Sequence, residues 1–449
     1  MKIDSVSDSV IMRRKISWGL PLALFVVLTL NTTVLQVANV VSTAGFVRQV
    51  GIEQVPTLWI IDMVITLVAT GVYSLVVDRL PRATLMGGLL LSIALVYLGL
   101  QALFAGAAPA WLTYPLLYLI SDQQFVLFPL AFWALANDLY TTTEAKHVFP
   151  IITTGTVAGS LLGNGLTVAL ASQSTASLLT LAALLLLTAL LVLWVAIRMR
   201  RRRIRARQAR ISGLAMRETV TTALEFVRSV RSFRYMAAAM LLASVALTIL
   251  EYHFLATLDA FASQSSDAGA QFQTIYGSYR LVFFIAIWVF QWAIAGRLLS
   301  RVKLQNTFTW LPVTLTLAAA VALVVPGFWG GAVARFAARL IQRGWEEPAR
   351  KIFQGLIPDE KRGRISAFMD SYIYAIATII GCIILIGGLL LERTLPETLV
   401  VTLTLATAGI AGLISFVAVL KMRQVFEESL LNWRFARSRR KSVLDKIDL

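Results

Sequence analysis

Cysteine, histidine and charge are all scarce in this chain. Of 449 residues, one is cysteine and two are histidine. The single thiol, Cys382, cannot form a disulfide within the chain, and His147 and His253 are too few and too far apart for a zinc site. Neither a metal nor a cofactor is expected. A Gly-x-x-x-x-Gly-Lys-Ser/Thr phosphate loop is also missing, so the chain has no motif for direct ATP drive, and nothing in it suggests an enzyme. Charged residues make up only 14% of the chain while 58% are hydrophobic. That balance excludes an ordinary soluble multidomain protein and indicates a polytopic membrane protein.

What is present is a series of apolar runs of about 20 residues, the length an α-helix needs to cross a bilayer core. Twelve are predicted, near 17–43, 54–77, 83–104, 111–138, 149–172, 175–197, 235–258, 272–296, 306–326, 329–347, 365–391 and 398–421. The fold class expected is therefore all-α, a membrane protein of twelve transmembrane helices in two six-helix halves. The basic patch Met12–Lys15 before the first run resembles a signal peptide, but that run is too long for one and reads as a retained helix.

Between the sixth and seventh runs lies a hinge, 197–210, containing eight arginines. Such a run can also mean nucleic-acid binding; lipid-length helices on both sides argue for a cytoplasmic loop instead. The alternation of loops agrees. Those near 78–82, 144–147, 297–303 and 348–364 are basic, whereas the intervening outer set carries only Arg48 and Arg393. By the positive-inside rule both termini are cytoplasmic and the membrane is the cell (inner) membrane. The net charge of +17 is thus first a topological signal. The resulting division is 1–197 as an N-terminal half, 198–234 as a basic linker with a surface helix over 214–233, 235–421 as a C-terminal half, and 422–449 as a basic tail. The tail fits either an interfacial helix facing anionic lipid or a disordered segment. Two halves joined by a long cytoplasmic loop is the plan of the major facilitator superfamily, whose site lies between the halves.

Charge placed at membrane depth is costly and marks a cavity or a buried partner. The third, sixth, ninth and twelfth runs have none, while Asp62, Asp122, Glu251, Arg280, Arg335 and Arg339 fall on the second, fourth, seventh, eighth and tenth. Asp122 sits near mid-bilayer and is followed by Gln123; it reads as a proton or ion relay or a substrate contact, or else as half of a buried ion pair. Glu251 is a second candidate for proton or ion coupling. Arg335, Arg339 and Arg343 share one helix face. Arginine's rigid fork suits phosphate and carboxylate, so Arg335, Arg339 and Arg280 are candidate contacts for an anionic substrate. The alternative pairs Arg335 and Arg339 with Asp122 and Glu251. Gln36 and Asn39 add neutral hydrogen-bonding groups on the first helix. Gly155, Gly159 and Gly163 form a small-residue stripe for close helix contact.

The loop Ser74 to Arg82 resembles the superfamily's motif between helices two and three, with Asp78, Arg79 and Arg82 at the acid and arginine positions and Ser74 and Pro81 in place of its glycines. The resemblance implies a cytoplasmic gate. Phe132-Trp133, Asn137 and Glu144-Ala145-Lys146, together with Asn31-Thr32-Thr33-Val34-Leu35 and the stretch from Pro348 to Asp370, resemble the ATP/ADP translocase (nucleotide transporter) family of bacteria and plastids over about a quarter of the chain. This implies nucleotide exchange and adds Glu144 and Lys146 to the gate candidates. The departure is on helix one, where that family's lysine-bearing charge cluster is replaced by Gln36-Val37-Ala38-Asn39-Val40. The function expected is a secondary active transporter, a monomer, moving a small organic anion, with a nucleotide as the family's implication. The rivals are a proton-coupled carrier of a neutral or cationic small molecule, and a non-transporting membrane scaffold.

Overall fold

The computed structural model describes residues 18–77, 79–204, 224–295, 297, 301–355, 357, 365–366 and 368–444. Twelve helices organise it. In the first half these are α1 (Gly19–Gln49), α2 (Val55–Val76), α3 (Arg82–Ala105), α4 (Ala110–Leu139), α5 (Thr142–Ala169) and α6 (Thr175–Ile204). The second half contains α7 (Arg231–Ala262), α8 (Ala268–Phe290), α9 (Trp310–Val324), α10 (Phe328–Ile341), α11 (Ile373–Leu391) and α12 (Glu397–Leu444). Helices are what a lipid-immersed sequence must form, because lipid offers no partner for an unpaired backbone N–H or C=O. Among the described residues eleven helices are long and apolar enough to cross a membrane. The remaining expected span, 329–347, is helical too: α10 runs through a π-helical turn, Gln342–Glu346, into the helix Glu347–Gln354. The α-helical part before the π turn is only 14 residues long and carries Arg335 and Arg339.

Most of the expected surface helix, 214–223, lies outside the described residues. Residues 224–229 are helical, and Val227, Phe226 and Val230 pack with Phe233, Phe353 and Ile357 onto the second bundle while Leu224 is exposed.

One hydrophobic core, from Leu20 and Val27 through Phe128 and Phe132 to Leu186 and Ala196, belongs to α1–α6 alone. A second, from Ala246 and Leu250 to Leu405 and Ala408, belongs to α7–α12. The glycine stripe brings the backbones of α5 and α1 close together. A Cβ on Gly159 would stand 2.5 Å from the Thr29 carbonyl oxygen, and one on Gly163 would stand 2.6 Å from it at Thr33. In the second bundle a Cβ on Gly381 of α11 would meet Thr248 of α7 at 2.9 Å. The α5–α1 and α11–α7 contacts therefore correspond, as a repeat requires.

A third core crosses between the bundles. Val40, Val47, Leu58 and Trp59 pack with Phe254, Leu258, Phe272, Phe328 and Cys382. It lies at the end bearing the turns near Gly51 and Gly327, both with positive φ, +118° and +90°, a backbone conformation that glycine adopts without a Cβ penalty. That end, which holds the arginine-poor loops, is closed.

Candidate functional site

On α10 the four-residue spacing places Arg335 and Arg339 on one face, and α7 brings Glu251 against it. Arg335 donates Nε to Glu251 Oε1 at 2.8 Å, and Arg339 donates Nε and Nη2 to Oε2 at 3.1 and 3.0 Å. All three side chains are nearly buried, 11 to 15% exposed. Arg335 also lies over the rings of Phe254 and Tyr279, 4.7 and 5.0 Å from their centres. Glu251 is thus the counter-ion of two arginines within its own bundle. Arg343, one turn on, lies within electrostatic reach of Glu347, Arg339, Arg280 and Arg335.

Arg280 is placed differently. It reaches out of α8 to α1 in the other bundle, donating to Asn39 Oδ1 and, at 2.5 Å, to Gln36 Oε1. Asn164 of α5 also donates to Gln36 Oε1, at 3.4 Å. Both partners of Arg280 are neutral amides. Among the described residues no carboxylate pairs with it. Tyr276, one turn earlier on α8, places its ring 5.5 Å from the guanidinium carbon.

In the first bundle, Gln123 of α4 donates Nε2 to Asp62 Oδ1 at 3.2 Å and to Thr66 Oγ1 at 3.0 Å, both on α2. Among the described residues Asp122 forms no ion pair with the arginines of the second bundle, and Asp62 is its neighbouring charge. Tyr276 lies near the guanidiniums of both Arg280 and Arg335, its ring centre 5.5 and 6.0 Å from them. Tyr118 is in electrostatic contact with Asp62, Asp122 and both other tyrosines, and Tyr374 with Asp122, Glu251, Arg339 and Arg343. The first bundle therefore contributes the carboxyls of Asp62 and Asp122, and the second the guanidiniums of Arg280, Arg335 and Arg339 with the Glu251 carboxylate between the last two.

The gate candidates separate. Asp78 and the Lys146 side chain lie outside the described residues. Arg79 is exposed. Arg82 bonds the end of α4, pairing with Asp138 at 3.3 Å and donating to the Ala134 carbonyl at 3.2 Å. Glu144 forms a capping box with Thr141 at the start of α5, satisfying backbone N–H groups that the helix itself cannot.

Solved structures share this architecture. The chain matches the nucleoside transporter NupG with a TM-score of 0.64 at 15% identity, covering 91% of this chain and 99% of that one. It matches a peptide transporter POT in complex with sulfate at 0.60 and 15%, covering 92% and 95%. A bacterial homologue of the iron transporter ferroportin, in an inward-facing state, matches at 0.59 and 15%, covering 90% and 98%. The fold is the major facilitator fold. No family model and no curated protein matches the sequence. The likeness to ATP/ADP translocases accordingly rests on its motif residues alone.

Within the major facilitator fold, several polar contacts are visible only in three dimensions. Asp259 of α7 accepts from Arg48 of α1 at 2.7 Å, across the bundles. Gln273 donates to the Thr167 carbonyl at 3.2 Å, also across them. Asp370 receives Arg350, Lys351 and Gln354 at the basic-loop end, and Arg350 also pairs with Glu346 at 3.1 Å. A cluster of Arg, Lys, Asp and Glu just outside an apolar run was the available signal for that network; the Arg48–Asp259 pair, 211 residues apart, had none.

Proposed function

We propose that the protein is a secondary transporter that carries a small organic anion across the membrane by alternating access, its site lying between α1 and α8. Arg280 carries this reading. A buried or half-buried cation is retained where a negative partner compensates it, and among the described residues Arg280 hydrogen-bonds the amide oxygens of Gln36 and Asn39 and no carboxylate. Arg335 and Arg339 share one carboxylate and Arg343 adds a further charge, so the surroundings of Arg280 are net positive. A phosphate or carboxylate entering between the bundles would take the two-pronged contact that the amides now hold. It would thereby join α1 to α8 through the substrate and alter the balance between the two open states. The motif likeness to nucleotide transporters favours a nucleotide within this class.

The test is thermal unfolding of the purified protein in detergent with inorganic phosphate, citrate, nucleosides and ADP, because a ligand that binds only the folded state raises its melting temperature. Stabilisation by anions that vanishes in Arg280→Gln supports the proposal. Stabilisation by a nucleoside without phosphate, equal in Arg280→Gln and the natural protein, would overturn it.

A further inference from the structure

We infer that Asn164 of α5 is a specificity-determining contact of the site at Arg280, and that the anion received there carries a hydroxyl group beside its charge, which donates to Asn164 Oδ1. The inference rests on the anion reading above and narrows its substrate class.

Asn164 is 0% exposed. Its Nδ2 has two hydrogens and both are used, one on the Ser160 carbonyl at 2.7 Å and one on Gln36 Oε1 at 3.4 Å. The Ser160 bond fixes the amide, because turning it over would set Oδ1 against a carbonyl oxygen. Oδ1 is left buried, with no donor among the described residues. Buried polar groups are paired in the great majority of native structures, so an open acceptor next to a binding residue marks a place for a partner.

Gln36 links that acceptor to Arg280. Its Oε1 accepts from Arg280 Nη2 at 2.5 Å as well as from Asn164. The guanidinium and the Asn164 amide are therefore no more than two hydrogen bonds apart. An anion oxygen that displaced Gln36 Oε1 would accept from both nitrogens, and since the two ends of one amide lie side by side, the neighbouring group of the ligand would face Oδ1. That group has to be a donor. An ammonium would donate too, but it would meet the Arg280 guanidinium as a like charge; a neutral O–H does not.

Movement of the bundles opens this place. Gln273, Gly277 and Arg280 share one face of α8 by their spacing. Gln273 donates to the Thr167 carbonyl of α5, and a Cβ on Gly277 would stand 3.0 Å from Val168 and 3.7 Å from the Asn164 carbonyl oxygen. The cover over this stretch of α5 is thus α8, which belongs to the other bundle and approaches closely because residue 277 has no side chain. Parting of the bundles would uncover Asn164 and Arg280 together.

The experiment is thermal unfolding of the full chain in detergent, titrated with two pairs of anions that differ in hydroxyl groups: malate against succinate, and glycerol 3-phosphate against propyl phosphate. Half-maximal stabilisation is expected at about tenfold lower concentration for the hydroxylated member of at least one pair, and the pair that responds tells a carboxylate from a phosphate. In Asn164→Leu, which keeps the branched outline of the side chain without its polar atoms, the two members should become equal. A merely structural role for Asn164 gives the opposite pattern, a lower melting temperature without ligand and an unchanged ratio, and would overturn the inference. So would equal stabilisation within both pairs in the natural protein, a comparison that needs no variant to fold: the acceptor is then met by water, and the anion reading stands without it. If no anion stabilises the natural protein, the anion reading fails and this inference falls with it.

Discussion

Arg48 of α1 and Asp259 of α7 meet at 2.7 Å, joining the two bundles at the closed end of the molecule, with Ser263 accepting a second bond from the same guanidinium at 2.6 Å. Each side chain is about a quarter exposed, at 24 and 22%, so the pair contributes on the order of 0.2–1 kcal/mol to closure. Asp259→Asn should shift the equilibrium toward opening by up to about fivefold. The native Cys382, fully buried in the core that crosses the bundles, is the reporter. Its maleimide labelling should quicken in Asp259→Asn and slow again when the charges are exchanged in Arg48→Asp/Asp259→Arg.

Glu251 behaves differently because it is buried and doubly engaged. Glu251→Gln leaves two guanidiniums without a counter-ion and should cost about 3–5 kcal/mol of stability. Arg335→Gln, which leaves Glu251 paired with Arg339, should cost less. Thermal unfolding of both variants reads the difference, and equal losses would contradict the shared-carboxylate geometry.

The α5–α1 contact predicts a contrast between neighbouring glycines. Gly159→Ala forces α5 away from the Thr29 carbonyl and should destabilise the protein by about 1–3 kcal/mol. A Cβ on Gly165 meets nothing within 4 Å, so Gly165→Ala should be neutral or stabilising by up to about 1 kcal/mol through helix propensity. Melting temperatures of the two variants should move in opposite directions or differ clearly.

At the closed end, burial first, and then the neighbouring carboxylates of Glu397 and Glu53, raise the affinity of Glu392 for its proton above that of an ordinary glutamate. A carboxyl that holds its proton more tightly when folded disfavours the folded, closed arrangement while ionised. The penalty is relieved as pH falls through its raised pKa. Closure, read by Cys382 protection, should therefore strengthen as the pH is lowered, and Glu392→Gln should flatten the response.

The sequence by itself determined that the chain is helical and where its apolar runs lie, because lipid leaves a backbone no choice but internal hydrogen bonds and because run length is written locally. It also placed the costly charges, since an arginine or aspartate inside an apolar run is visible without a structure. Gly155, Gly159 and Gly163 could likewise be read as a packing face from their spacing. Partnership was decided only in three dimensions. Whether Arg335 and Arg339 answered Glu251 or Asp122, whether Asp122 met a cation or Asp62, and whether Arg280 found an acid or two amides all depended on which helices came together. Periodicity gives a residue its face on its own helix. It says nothing about the rotation and height of the helix opposite, and at membrane depth those two quantities fix whether a charge is neutralised or left open to a substrate.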